Sequence, residues 1–146
     1  TPLRSTVREP FIRTPKLSLA TNYQLENGQT ITFINIHAIN FVRKSKLKKQ
    51  LLQVIEYING QAGPVVFAGD FNTNFKSKIK LMRKLLKNIG MKEATFNGAD
   101  DRMSFFGNKL DYIWYRGLEL ESAVVRGDIK GSDHKPLQAV FSLPIE

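Results

Sequence analysis

Pro64-Val65-Val66-Phe67-Ala68-Gly69-Asp70-Phe71-Asn72 is an apolar run closed by Gly69 and followed at once by two polar residues, Asp70 and Asn72. Apolar residues without alternation, bounded by Gly63 and Gly69, predict a short strand buried on both faces. Upstream, Leu47, Leu51, Val54, Ile55 and Ile58 fall on one helical face, and Asn59-Gly60 supplies a stop. Before that helix, Ile31 to Ile36 is strongly apolar, while Leu17, Leu19, Thr21 and Tyr23 alternate with polar neighbours. Asn27-Gly28 lies between these two runs, and both residue types accept the positive φ of a tight turn, so an antiparallel hairpin is predicted. Downstream, a second helix is predicted from about Lys76 to Asn88, with Ile79, Met82, Leu86 and Ile89 inward and Gly90 as its stop. Further strands are predicted around Ala94 to Phe96, Leu110 to Tyr115, Leu118 to Val125 and Ala139 to Leu143. Thr1 to Pro15 holds three of the six prolines and no period, and reads as an irregular lead-in. Helices and strands alternate and then strands dominate, which defines an α/β (α+β) chain of one domain with a mostly antiparallel mixed sheet.

Composition narrows the function. The 146 residues carry 22 Lys+Arg against 13 Asp+Glu, a net charge of +9, and 42% are hydrophobic. Such a chain is neither disordered nor collagen-like. No apolar run approaches the ~20 residues of a membrane-spanning helix, and no secretory leader is visible. The absence of cysteine excludes disulfides, a thiol nucleophile and Cys-ligated zinc or iron-sulfur sites; a cytoplasmic location is the matching expectation. The basic excess predicts an anionic partner, nucleic acid or another phosphorylated surface. Eleven of the 22 basic residues lie between Arg43 and Lys87, where helical spacing reads first as solvated faces.

Four polar segments fall at the ends of predicted strands, where open α/β sheets place their sites. They are Asn35-Ile36-His37-Ala38-Ile39-Asn40, Gly69-Asp70-Phe71-Asn72, Leu110-Asp111-Tyr112 and Ser132-Asp133-His134-Lys135-Pro136. Each has a plain alternative. Asp70 suits the start of a turn, His37 an edge position, Asn40 the cap of the following helix, and Asp133-His134 an ordinary loop. Phe105-Phe106 reads as core before it reads as a stacking platform.

Taken together and in this order, the four segments resemble the endonuclease/exonuclease/phosphatase superfamily, in particular its exonuclease and deoxyribonuclease-like members and a bacterial branch. The resemblance implies hydrolysis of a phosphoester by in-line attack of water with a divalent ion. In that reading Asp70 orients or deprotonates the water, and Asn72 fixes its geometry. His134 meets the scissile phosphate and Asp111 orients its imidazole. Asp133 is the implied ligand of Mg²⁺ or Mn²⁺, while His37 and Asn40 contact the phosphate from the opposite wall. Nucleic acid is the expected substrate, with a phospholipid or inositol phosphate as the enzymatic alternative and a non-catalytic nucleic-acid-binding fragment as the other.

The same resemblance exposes a departure. Full domains of the superfamily are four-layer α/β sandwiches of close to twice this length, and their first half supplies an asparagine and a metal-binding glutamate. Residues 1–146 read as the C-terminal portion alone, half of that sandwich, beginning at Thr1 rather than Met. The early acids Glu9 and Glu26 fit no glutamate motif. Two expectations follow: the ion is held weakly, and an apolar sheet face is left for self-association or for the missing N-terminal half.

Overall fold

The lead-in is not wholly irregular: Pro2–Arg8 forms strand β1, antiparallel to β2 (Pro15–Gln24). Ser5 and Val7 point inward while Arg4 and Thr6 are exposed. A serine at an inward position breaks the apolar alternation, which is why the strand is not legible in the sequence. Pro2 stands at the first residue of an edge strand, where its missing N–H interrupts no ladder. The computed structural model describes residues 1–8 and 15–145; Glu9, which fits no glutamate motif in the sequence, lies outside them.

In chain order there follow β3 (Thr30–His37), α1 (Lys44–Asn59), β4 (Val65–Asp70), α2 (Lys76–Asn88), β5 (Lys92–Glu93), β6 (Ser104–Phe105), β7 (Asn108–Lys109), β8 (Asp111–Arg116), β9 (Glu119–Val125) and β10 (Leu137–Ser142). A six-stranded sheet has the order β1-β2-β3-β4-β8-β5. Only β3 and β4 are parallel, and α1 is the crossover that a parallel pair requires. The predicted mixed, mostly antiparallel α/β sheet is therefore observed. Three local expectations need correction. The strand predicted at Ala94 to Phe96 is the two-residue β5, two positions earlier. Asn27 does not take a positive φ; Gly28 alone does, and Asn27 Oδ1 accepts the Gln29 N–H at 3.0 Å. Phe105 and Phe106 are exposed on the β6–β7 hairpin rather than buried in the core.

Both helices pack on one sheet face. Ile34, Ile36, Val65, Phe67, Tyr112 and Trp114 meet Leu47, Leu51, Val54, Ile58, Met82 and Leu86 in the main core. Arg116 on β8 ties this layer together, donating to Ile58 O and Gln61 O at the end of α1 and to Ile89 O at the end of α2. A cation is favourable at helix C-termini, where carbonyls lack intrahelical partners.

The opposite face carries Ile31, Val66, Ile113 and Tyr115, covered in part by Leu118 and by the β9–β10 hairpin through Leu120, Ala139 and Phe141. Val65, Val66 and Phe67 are thus buried by layers on both sides, as their unbroken apolarity predicts. The hairpin does not reach β2, where Leu17, Leu19 and Tyr23 are exposed. Among the described residues, no helix is long and apolar enough to cross a membrane.

Gly69 fixes the spacing between β3 and β4. Its φ is +136°, and a Cβ there would run into the Ile36 carbonyl oxygen and carbon of the paired strand. Gly69→Ala therefore combines a backbone conformation that L residues disfavour with a backbone clash. The expected loss of unfolding free energy is at least ~2 kcal/mol, measured by urea denaturation. An unchanged midpoint and slope would show that the strands can move apart freely.

Candidate active site

Strand register brings three of the predicted residues into one row. His37 at the end of β3 pairs with Asp70 at the end of β4, and Asp70 pairs with Asp111 at the start of β8. Paired residues on adjacent strands share a face, so the three side chains emerge together beside the β9–β10 layer. His134, from the loop preceding β10, completes the group: its Nδ1 lies 2.8 Å from Asp111 Oδ2. Its Nε2 lies 4.0 Å from Asp70 Oδ2, and His37 Nε2 lies 3.8 Å from the same oxygen. One carboxylate oxygen therefore has an imidazole on either side.

The supporting bonds decide which atoms face the site. Asp70 Oδ1 accepts the Asn72 backbone N–H at 2.8 Å, a turn that directs the other oxygen toward the histidines. Asn72 is buried with φ +48°, and its side-chain amide donates to Ala38 O at 2.7 Å. It fastens the loop after β4 to the loop after β3. Asn40 does not cap α1; Arg43 occupies the N-cap, and Asn40 Oδ1 accepts the Phe41 N–H at 2.8 Å. Asp133 is exposed, and its Oδ1 accepts the His134 N–H at 3.2 Å, so here it shapes the loop that presents the imidazole. Arg102 gave no sequence signal, since it stands in an irregular stretch. It donates to Asp111 O at 2.9 Å and stacks over Tyr112 at 5.1 Å, bracing the start of β8.

Electrostatics follow from this packing. Burial pushes the Asp111 carboxyl above the usual range, against the opposing pull of its bond to His134. Partial burial acts to lower the His134 value, but the bond to Asp111 and the charges of Asp111, Asp70 and Asp133 raise it overall. The imidazolium thus persists to higher pH than in a free histidine, with Nδ1 held by Asp111 and Nε2 available to donate.

Asp70, Asp111 and His134 are also a group whose ligand atoms lie within 4.8 Å of one another. Because the His134–Asp111 pair is already satisfied internally, the set offers a hard divalent ion few oxygens. Ca²⁺ and Mg²⁺ take about six or more ligands, so these residues fit a weakly held ion completed by water and substrate oxygens, not a resident cage.

At the strand ends of a mixed sheet, carboxylates able to accept a proton thus stand beside imidazoles able to carry one. The sequence pattern of the endonuclease/exonuclease/phosphatase family matches residues 1–134, and the chain belongs to that family. A UPF0294 protein of Vibrio campbellii is 40% identical over 140 residues, covering 94% of this chain and 49% of its own length. One from Yersinia enterocolitica is 38% identical over 141 residues, covering 96% and 53%. The chain spans about half the length of the curated relatives it matches. Among solved structures, an endonuclease/exonuclease/phosphatase of Bacteroides vulgatus superposes with a TM-score of 0.78 at 18% identity, over 99% of this chain and 64% of the other. The catalytic domain of human Nocturnin with bound sulfate gives 0.66 at 20% identity, over 99% and 59%. A mannosyl-6-phosphatase of Bacteroides thetaiotaomicron gives 0.65 at 17%, over 88% and 58%.

The His134–Asp111 pair predicts a direct observable. The His134 imidazole, followed by NMR, should titrate above the ordinary histidine value of about 6.5, and Asp111→Asn should lower that midpoint. A proton held more tightly in the folded state stabilises it fully below the unfolded value, and this contribution fades as pH rises through the folded one. A midpoint unmoved by Asp111→Asn would mean that the pair does not govern the ring.

Proposed function

We propose that the protein carrying this chain is a phosphoesterase that hydrolyses phosphodiester bonds of nucleic acid by in-line attack of water, assisted by Mg²⁺ or Mn²⁺. The observation that supports it most is Asp70 Oδ2 flanked by His37 Nε2 and His134 Nε2, with the other nitrogen of His134 bonded to Asp111. A phosphoester needs a base for water and donors for charge gathering on the nonbridging oxygens. Asp70, oriented by Asn72, accepts the proton of the attacking water. Nε2 of the His134 imidazolium donates to a phosphate oxygen, and Asp111 holds the ring in place and balances its charge. His37 and Asn40 approach from the β3 side. A divalent ion, when bound, would neutralise charge on the phosphate; Asp70, the member of the Asp70, Asp111 and His134 group with an oxygen turned to the site, would help hold it, and Asp133 is the further carboxylate that the family resemblance implies.

The net charge of +9 favours an anionic substrate such as nucleic acid, and the basic faces of α1 and α2 extend that preference beyond the row. Phospholipid and inositol phosphate substrates belong in the same assay. Since this span supplies few oxygens for the ion, its own turnover should lie well below that of a chain of its relatives' length. The exposed Leu17, Leu19 and Tyr23 face is where added chain, or a second copy, would pack.

Hydrolysis of bis(p-nitrophenyl) phosphate and of plasmid DNA by the full-length protein, with and without EDTA, tests the reading. Asp70→Asn and His134→Ala should each lower kcat by about 10²-fold or more with the fold intact. Turnover indifferent to EDTA, or unchanged in either variant, would contradict it.

A further inference from the structure

Exposed apolar side chains that gather in one concave recess mark a binding surface more often than ones scattered singly. Phe41 is 70% exposed and Phe75 55% exposed, and Phe105 is exposed as well. With Arg43, Lys44 and Lys78 these rings line an open recess of about 420 Å³, and no acidic residue lines it. Phe41 holds its ring out from a left-handed backbone, φ +49°, a conformation that bulky residues rarely adopt. Strain and exposure of this kind concentrate at functional positions. Lys78 is buried; its Nζ donates to Asn74 Oδ1 at 2.8 Å and lies 5.7 Å from the Phe75 ring centre.

The recess is built from the loops that carry the catalytic row. Phe41 directly follows Asn40, and Phe75 lies three residues beyond Asn72. The β6–β7 hairpin bearing Phe105 is tied to the same loop by Asn108 Nδ2 on Asn74 O at 3.1 Å and by Thr73 Oγ1 on Lys109 O at 2.7 Å. Lys109 in turn stands two residues before Asp111.

We propose that this recess is a base-stacking subsite for one unpaired nucleotide of a single-stranded nucleic acid. The base lies against the Phe41, Phe75 and Phe105 rings, and its phosphate meets Arg43 and Lys44, while the buried Lys78, bonded to Asn74, backs the Phe75 ring. Aromatic faces accept any base, while cations on the same walls take the backbone. A concave, cation-lined recess matches a nucleotide better than a lipid surface, which calls for a flat or protruding apolar face. The inference rests on the nucleic-acid reading above and deepens it: the substrate is unpaired, at least beside the cleaved bond.

Fluorescence anisotropy of the full-length protein in EDTA tests it without turnover. The probes are labelled oligothymidylate, an abasic oligomer of equal length and charge, and a duplex. Oligothymidylate should bind about tenfold or more tightly than the abasic strand. The F41G/F75A variant, whose replaced side chains are both more than half exposed, should erase that difference and leave abasic binding unchanged; F75W should retain it. Equal binding of both single strands, or a preference untouched in F41G/F75A, would overturn the subsite. Phenylalanine-dependent binding to phosphatidylglycerol vesicles without a base preference would overturn it in favour of a membrane surface. Cleavage of bis(p-nitrophenyl) phosphate, scored separately, shows whether the hydrolytic reading survives such a failure.

Discussion

Strand β4 approaches β3 so closely at Gly69 that the Ile36 carbonyl occupies the place of a side chain. That approach sets the pairing in which the next residue, Asp70, falls opposite His37 on one side and Asp111 on the other. Everything chemical depends on this row. A one-residue slip would turn Asp70 toward the helices and bring Gly69 to the site, because side chains alternate faces along a strand. The unbroken apolarity of Val65, Val66 and Phe67 locks the strand between the helical layer and the hairpin layer. Core packing thereby fixes the position of a carboxylate that is itself only partly buried.

Two carboxylates this close repel, and the fold answers with histidines and with division of labour. Asp111 is buried and committed to His134, whereas Asp70 keeps one oxygen on the Asn72 backbone and turns the other to the imidazoles. Asn72, Arg102 and Asp133 act through these groups. The first ties two loops together, the second braces the start of β8, and the third shapes the loop of His134.

Much of this was legible in the sequence. The helical faces of α1 and α2 and the strands β3, β4, β8, β9 and β10 carry apolar periods strong enough to read, and polar residues at their ends marked the site. What escaped has identifiable causes. Ser5 masks the alternation of β1, and β6–β7 is too short to carry a period. No local pattern distinguishes the buried Lys78 from the exposed lysines of α2, because its burial depends on Asn74 and the loop before the helix. The reach of Arg116 to the ends of both helices is likewise a tertiary fact. Exposure of Phe105 and Phe106 runs against the usual preference of phenylalanine, and Phe105 lines the recess formed by the loops after β3 and β4.

In the proposed mechanism the strand row and His134 work as one unit, with Asp111 acting through the imidazole. A double-mutant cycle on kcat for Asp111→Asn and His134→Ala reads that coupling. The double variant should be no slower than His134→Ala alone, within about twofold, since removal of the ring leaves Asp111 nothing to orient. Losses that multiply, with each substitution exacting its full effect in the presence of the other, would contradict it.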